Sequence, residues 1–163
     1  MNLKSFYYEY LEAWNTRNHE KLKQFYHKNF EMTYNPDPFY SITKENITIE
    51  ERQMKNISKL ESFPDLQFHP EQVVTDNQST ISVFGFYTGT HKGEYKGIPG
   101  TGKFIKQEAA IFFELKDNKI LKIRRIADNL SIYLDLGHAV MESNNTKLLE
   151  LYLDNIKEII GRK

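Results

Sequence analysis

The sequence predicts an α+β fold: three N-terminal helices packed on a strongly curved, antiparallel-rich sheet, with one more amphipathic helix at the end. Three observations predict it. Apolar residues recur at helical spacing through about residue 62. After Pro64 the pattern changes to period two. Two apolar runs then flank Asp117-Asn118, a hairpin signal.

The first helix is expected over residues 3–16, where Phe6, Tyr7, Tyr10, Leu11 and Trp14 share a face. Asn18 can cap a second, short helix that turns Leu22 and Phe25 or Tyr26 inward. The run Tyr34-Asn35-Pro36-Asp37-Pro38 breaks any helix, since proline removes a donor and restricts its predecessor. Thr48 and Glu51 have the spacing of a capping box. The third helix should follow, with Met54, Ile57 and Leu60 as its apolar stripe, and end before Pro64.

Strands are expected from Leu66 to Val74 and from Thr80 to Thr90, with Asp76-Asn77 as the turn between them. Gly85 inside the second strand suggests a bulge or bend. Six of the eight glycines fall between Gly85 and Gly102, so Gly93 to Gly102 reads as a long connection with tight turns. Phe104 to Leu115 and Lys119 to Ala127 form the hairpin. In the tail, Leu149, Leu153, Ile156 and Ile160 recur at helical spacing behind Asn145 or Thr146 as cap. That helix is marginal alone, so its stripe is expected to cover the body or a dimer seam.

Composition excludes several classes. With 163 residues and no internal repeat, one domain is expected. The absence of cysteine excludes disulfides, thiolate metal sites and a cysteine nucleophile. Lys+Arg and Asp+Glu are both 22, so no net charge favours nucleic acid or an anionic membrane. No apolar stretch approaches a membrane span, and the start carries no apolar run of signal-peptide type. The five histidines lack metal-ligand spacing, so no metal is expected. A cytoplasmic protein is the default expectation.

The most specific stretch is Gly89-Thr90-His91-x-Gly93-x-Tyr95-x-Gly97-Ile98-Pro99-x-Thr101-Gly102-Lys103. It is not a phosphate loop: Phe104 follows Lys103, and the segment joins two strands. It resembles the hallmark of the SnoaL-like polyketide cyclase family, within the nuclear-transport-factor-two-like superfamily. Trp14-Asn15 with Asn18 and Leu22, Phe63-Pro64-Asp65-Leu66, Phe112-Phe113-x-Leu115-x-Asp117-x-Lys119-Ile120 and Asp128-x-Leu130 with Leu136-Gly137 match in order.

The resemblance implies a cone-shaped α+β barrel over residues 1–137, enclosing an apolar pocket, with 138–163 as a helical extension of the same domain. It also implies pairing through the sheets, as a homodimer or homotetramer. The implied activity is ring closure by an intramolecular aldol reaction on a small apolar carbonyl compound, without cofactor or metal, with a related isomerase or hydrolase as variants of the same reading.

By motif, Asp128 matches the family's acid/base. Burial would raise its pKa and suit it to proton abstraction. His91 is a candidate proton donor. Trp14, Tyr34 and Asn35 are candidates for the pocket and its mouth.

If Lys116 faces Ile120 across a three-residue loop, Leu115 pairs with Leu121, Phe113 with Ile123 and Ile111 with Arg125. Glu114 with Lys122 and Phe112 with Arg124 then share the other face with Asp128. That register makes Phe112, Glu114 and Arg124 candidate substrate contacts, in places where the family carries an amide, an imidazole and often tryptophan. An arginine beside Asp128 would lower its pKa and weaken proton abstraction.

Each candidate also has a plain structural role. Asp128 would cap a helix over Asn129 to Leu136, His91 would pack in its loop, and Tyr34 and Asn35 would form a turn. The alternatives to an enzyme are a module that binds a small hydrophobic ligand and one that only dimerises.

Overall fold

A computed structural model of the chain describes residues 1–34, 43–45 and 48–161. Five helices and six strands follow in the order α1 (Leu3–Asn15), α2 (His19–Phe25), β1 (Tyr26–Tyr34), β2 (Thr43–Glu45), α3 (Ile49–Ser62), β3 (Gln67–Thr75), β4 (Thr80–Thr90), β5 (Phe104–Lys116), β6 (Lys119–Ala127), α4 (Asn129–Glu142) and α5 (Thr146–Gly161). One curved sheet has the order β2-β1-β6-β5-β4-β3, with β1 parallel to β6 and the other pairs antiparallel. Because β2 and β3 are both edges, the cone is an open sheet and does not close into a barrel.

The helices start where polar side chains can satisfy their first free N–H groups. Asn2 accepts from Ser5, Asn18 from Lys21 and Asn145 from Leu148. Thr48 and Glu51 form the expected reciprocal box. Asp76 Oδ1 accepts the amides of Gln78, Ser79 and Thr80, each at 2.9 Å, and thereby closes the β3–β4 turn.

The segment after α2 is a correction. A mainly helical N-terminal third was expected, but Tyr26–Tyr34 is a strand. Its Phe30, Met32 and Tyr34 alternate inward, with Phe30 and Met32 buried, and β6 offers it a parallel edge. Pairing and burial decide such a short stretch over local spacing.

The hairpin holds the expected register at Phe113–Ile123, Ile111–Arg125, Glu114–Lys122 and Phe112–Arg124 by a different route. Its loop has two residues, Asp117 and Asn118, at φ 51° and 59°. Such a tight turn pairs Leu115 with Ile120 instead of Leu121, and the resulting bulge restores the register beyond it. Gly85 lies opposite Pro70, at the edge of a register shift in β3. A Cβ there would come 2.2 Å from the His69 carbonyl oxygen.

Two helix faces also differ from expectation. On α3, Met54 and Ile57 are exposed while Arg52 is buried, so of the expected stripe only Leu60 packs against the core. On α5, Leu148, Leu149 and Tyr152 pack on the body, whereas Leu153 and Ile160 stay exposed. Tyr152 donates to the Tyr133 carbonyl of α4 at 2.8 Å, which fixes this rotation.

Candidate functional site

Alternation along the strands divides the sheet into two chemically distinct faces. On β5 and β6, Ile105, Gln107, Ala109, Ile111, Phe113, Ile123 and Ala127 point inward and are buried. Against this face α1 lays Tyr7, Tyr10 and Ala13. A hollow remains between them, lined by Tyr7, Tyr10, Leu11, Trp14, Arg52, Phe68, Tyr87, Ile111, Phe113, Ile123 and Arg125. Its free volume is about 20 Å³, room for little more than one water. A ligand must therefore displace side chains, and Trp14 and Leu11 are only half-buried.

The hollow is aromatic and cationic. Tyr87 lines it, its ring 4.7 Å from that of Phe68 and 5.6 Å from that of Trp14. Lys59 Nζ lies 4.9 Å from the Tyr87 ring and the Arg125 guanidinium 6.0 Å, within reach of the ring's negative face. Lys59 also donates to Gln107 Oε1 at 3.3 Å. Gln107, fully buried, passes its own amide to Asn129 Oδ1 at 2.8 Å and the Asp128 carbonyl at 3.2 Å.

Burial, and then the positive charge of Arg125, Lys96 and Arg52, holds the Lys59 amine well below the ordinary lysine range. Burial pushes the Tyr7 phenol well above its usual value, so it stays protonated. That hydroxyl is buried and has no hydrogen-bond partner among the described residues.

The expected site residues separate onto different parts of the molecule. Trp14 lines the hollow, and Tyr34 ends β1 on the same side, 5.8 Å from Arg125. Asn35 lies outside the described residues. Phe112, Glu114 and Arg124 come together as the register required, but on the outer face. There they line an open groove of about 680 Å³ with Glu31, Thr33, Thr80, Ser82 and Lys122. Glu114 is ion-paired to Lys122 at 3.3 Å. The thickness of the sheet separates this groove from the hollow.

Asp128 is exposed, not buried in an apolar pocket as the resemblance implied. It is the N-cap of α4, with Oδ1 accepting from the Ser131 amide at 3.1 Å. His91 is fully buried between the turns of its loop. Its Nδ1 lies 3.1 Å from Thr101 Oγ1, and its ring lies over Phe63 at 5.3 Å. Burial lowers its pKa, which favours the neutral ring.

Residues 4–136 match the model of a family described as SnoaL-like polyketide cyclase. The chain belongs to that family. Solved structures agree on the fold. AclR from Streptomyces galilaeus is 17% identical over 83% of this chain and 80% of its own, with a TM-score of 0.71. A SnoaL-like polyketide cyclase from Agrobacterium tumefaciens is 21% identical over 84% and 99%, with a TM-score of 0.68. IdmH from Streptomyces antibioticus is 18% identical over 82% and 97%, with a TM-score of 0.70. No curated protein matches the chain.

Several SnoaL-like motif residues serve the scaffold here. Asn15 pairs with both backbone groups of Phe68, at 3.1 and 3.0 Å. Asp65 accepts from the Thr90 amide and hydroxyl, each at 2.7 Å, and clamps the start of the glycine-rich loop. Lys92 and Gly93 donate to the Ser62 carbonyl at 3.0 and 3.1 Å, which ties that loop to the end of α3.

Tyr7, Arg52, Tyr87 and Arg125 on the hollow, with Lys59 against the Tyr87 ring, are the functional groups that motif reasoning passed over. One signal was available: the register sets Arg125 opposite Ile111, an arginine on the strand face that carries Ile123 and Ala127. On α3 and its C-cap, Arg52, Lys59 and Phe63 recur at seven and four residues, an inward stripe hidden by two basic residues.

Proposed function

We propose that the hollow is the ligand site and that the protein catalyses proton transfer next to a carbonyl there, a cofactor-independent reaction of the cyclase or isomerase type on a small, largely apolar compound. The observation that carries this reading is the Tyr7 hydroxyl: a buried, protonated donor on the hollow's wall with no acceptor among the described residues. Such a donor suits the negative charge that develops on a carbonyl oxygen as the neighbouring C–H is deprotonated. Lys59 is the base in this reading. Its depressed pKa favours the neutral amine that can accept the proton.

Binding without turnover is the second reading, favoured by the position of Asp128, the family-matched carboxylate, which is exposed and engaged as a helix cap. In either reading the protein is cytoplasmic. A second copy covers the outer groove in a homodimer or homotetramer, since Phe84 and Phe112 are exposed on that face.

The test follows exchange of α-hydrogens in D₂O by NMR over a set of enolisable aryl ketones. Tyr7→Phe and Lys59→Met are expected to slow exchange by about 100-fold or more, the usual scale for a lost oxyanion donor or base. Wild-type rates in both variants would overturn the proton-transfer reading. Saturable quenching of Trp14 without exchange would establish the binding reading instead.

A further inference from the structure

Among the described residues, the charged side chains that line the hollow, Arg52 and Arg125, are both cationic. Arg52 is 9% exposed. One of its terminal nitrogens lies 2.8 Å from the Met32 sulfur, and its Nε is buried with no hydrogen-bond partner among the described residues. Arg125 Nε is buried and unpartnered in the same way, with its guanidinium 5.8 Å from the Tyr34 ring and 6.0 Å from Tyr87. Lys59 reaches the same Tyr87 ring from α3. Among the described residues, no Asp or Glu is ion-paired to any of the three.

A guanidinium taken out of water without a counter-charge costs several kcal/mol. Aromatic faces offset only part of that cost, about 0.5–2 kcal/mol each. Arg52 is buried against the Tyr10 and Tyr26 hydroxyls, Arg125 is half-buried with its Nε sealed from water, and among the described residues no carboxylate neutralises either, so this wall of the hollow suits an anion. Its geometry is specific, since a guanidinium donates a rigid fork of N–H bonds that suits two oxygens of one planar anion. The rings of Tyr87, Phe68 and Trp14 beside it suit a flat apolar body.

We propose that the molecule held in the hollow is an organic anion: a small planar carboxylate whose oxygens are held by Arg52 and Arg125 and whose ring packs against Tyr87 and Trp14. This rests on the reading of the hollow as the ligand site and names its substrate class, a carbonyl compound that carries a carboxylate. The division of labour is then complete. The two arginines bind and orient, which leaves Tyr7 and Lys59 for the reacting carbonyl. The anion enters by swinging the half-buried Trp14 and Leu11 side chains, because the free volume of about 20 Å³ does not admit it otherwise.

Benzoate and its neutral isostere benzamide test the inference on the full chain at constant ionic strength. Trp14, the single tryptophan, reports from the hollow itself. Benzoate is expected to change Trp14 emission saturably and to raise Tm, with benzamide at least tenfold weaker. Arg125→Met and Arg52→Met are expected each to weaken benzoate at least tenfold and to narrow its advantage over benzamide.

Equal binding of benzoate and benzamide would overturn the anion assignment and leave the hollow standing as the ligand site. Binding of benzoate that raises Tm equally in both variants without altering Trp14 emission would place it elsewhere and overturn it as well. If neither compound alters Trp14 emission or Tm, the hollow itself fails as the ligand site. Where a variant does not fold, the wild-type contrast between the two compounds decides.

Discussion

Lys59 Nζ and Gln107 Oε1, 3.3 Å apart, join α3 to the middle of the sheet through a partly buried polar contact. Gln107 then reaches the first turn of α4 through Asn129. The same amide therefore positions the proposed base and the helix that follows β6.

This contact has a pH signature. The ordinary lysine pKa is 10.5, and that of Lys59 in the folded chain lies well below it. Between the two values the unfolded chain binds more protons than the folded one, so stability rises with pH across that window, by at most about 1.4 kcal/mol per unit. His91, also lowered on folding, adds a rise of the same sign below its ordinary 6.5. Urea unfolding from pH 7 to 9.5 should show the slope in the wild type and lose it in Lys59→Met. An unchanged slope in the variant would mean that Lys59 remains charged in the fold. Measurement stops short of pH 10, where Tyr7 and Tyr10, raised by burial, begin to act in the opposite direction.

Asp128 separates capping from catalysis. Asparagine caps about as well as aspartate, whereas alanine at an N-cap costs about 1 kcal/mol. Asp128→Asn should keep both wild-type stability and any turnover, and Asp128→Ala should lower stability by about 1 kcal/mol with turnover retained. Denaturant melts and the deuterium-exchange assay check both. Loss of turnover in a fully stable Asp128→Asn protein would return the aspartate to a catalytic role.

Gly137 governs how the tail docks. A Cβ at that position would come 2.3 Å from the Tyr152 hydroxyl, which itself donates to the Tyr133 carbonyl. Gly137→Ala should force Tyr152 outward and cost about 1–3 kcal/mol, as overpacked contacts do. Hydrogen exchange should show α5 losing protection while β4 and β5 keep theirs. Equal protection of α5 in the variant would show that Tyr152 can move without undocking the helix.

Much of the fold was legible in the sequence because its signals are local. The caps at Asn18, Thr48 and Asn145 need only neighbouring residues. The β5–β6 register follows from alternation along two long strands, even though the turn reached it through a bulge at Leu121. β1 was missed because its nine residues become a strand by pairing with β6, almost a hundred residues away. The candidate site was legible only in part. The motif placed Trp14 on the hollow, while Phe112, Glu114 and Arg124 went to the other face.

By itself, then, the sequence determined the α+β class, the order of most elements, the strand register and the family signature in the glycine-rich loop. Each depends on periodicity, capping or turn chemistry within a short span of chain. Only the tertiary structure decided which side of the sheet is the inside. Period-two alternation states that odd and even residues part company, but the choice of covered face depends on where the helices dock. That choice exposes Asp128, seals His91 and draws Arg52, Lys59 and Arg125 around Tyr87. A basic residue on an apolar stripe looks like an interruption along the chain; in three dimensions Arg52 and Arg125 become the charge of the pocket.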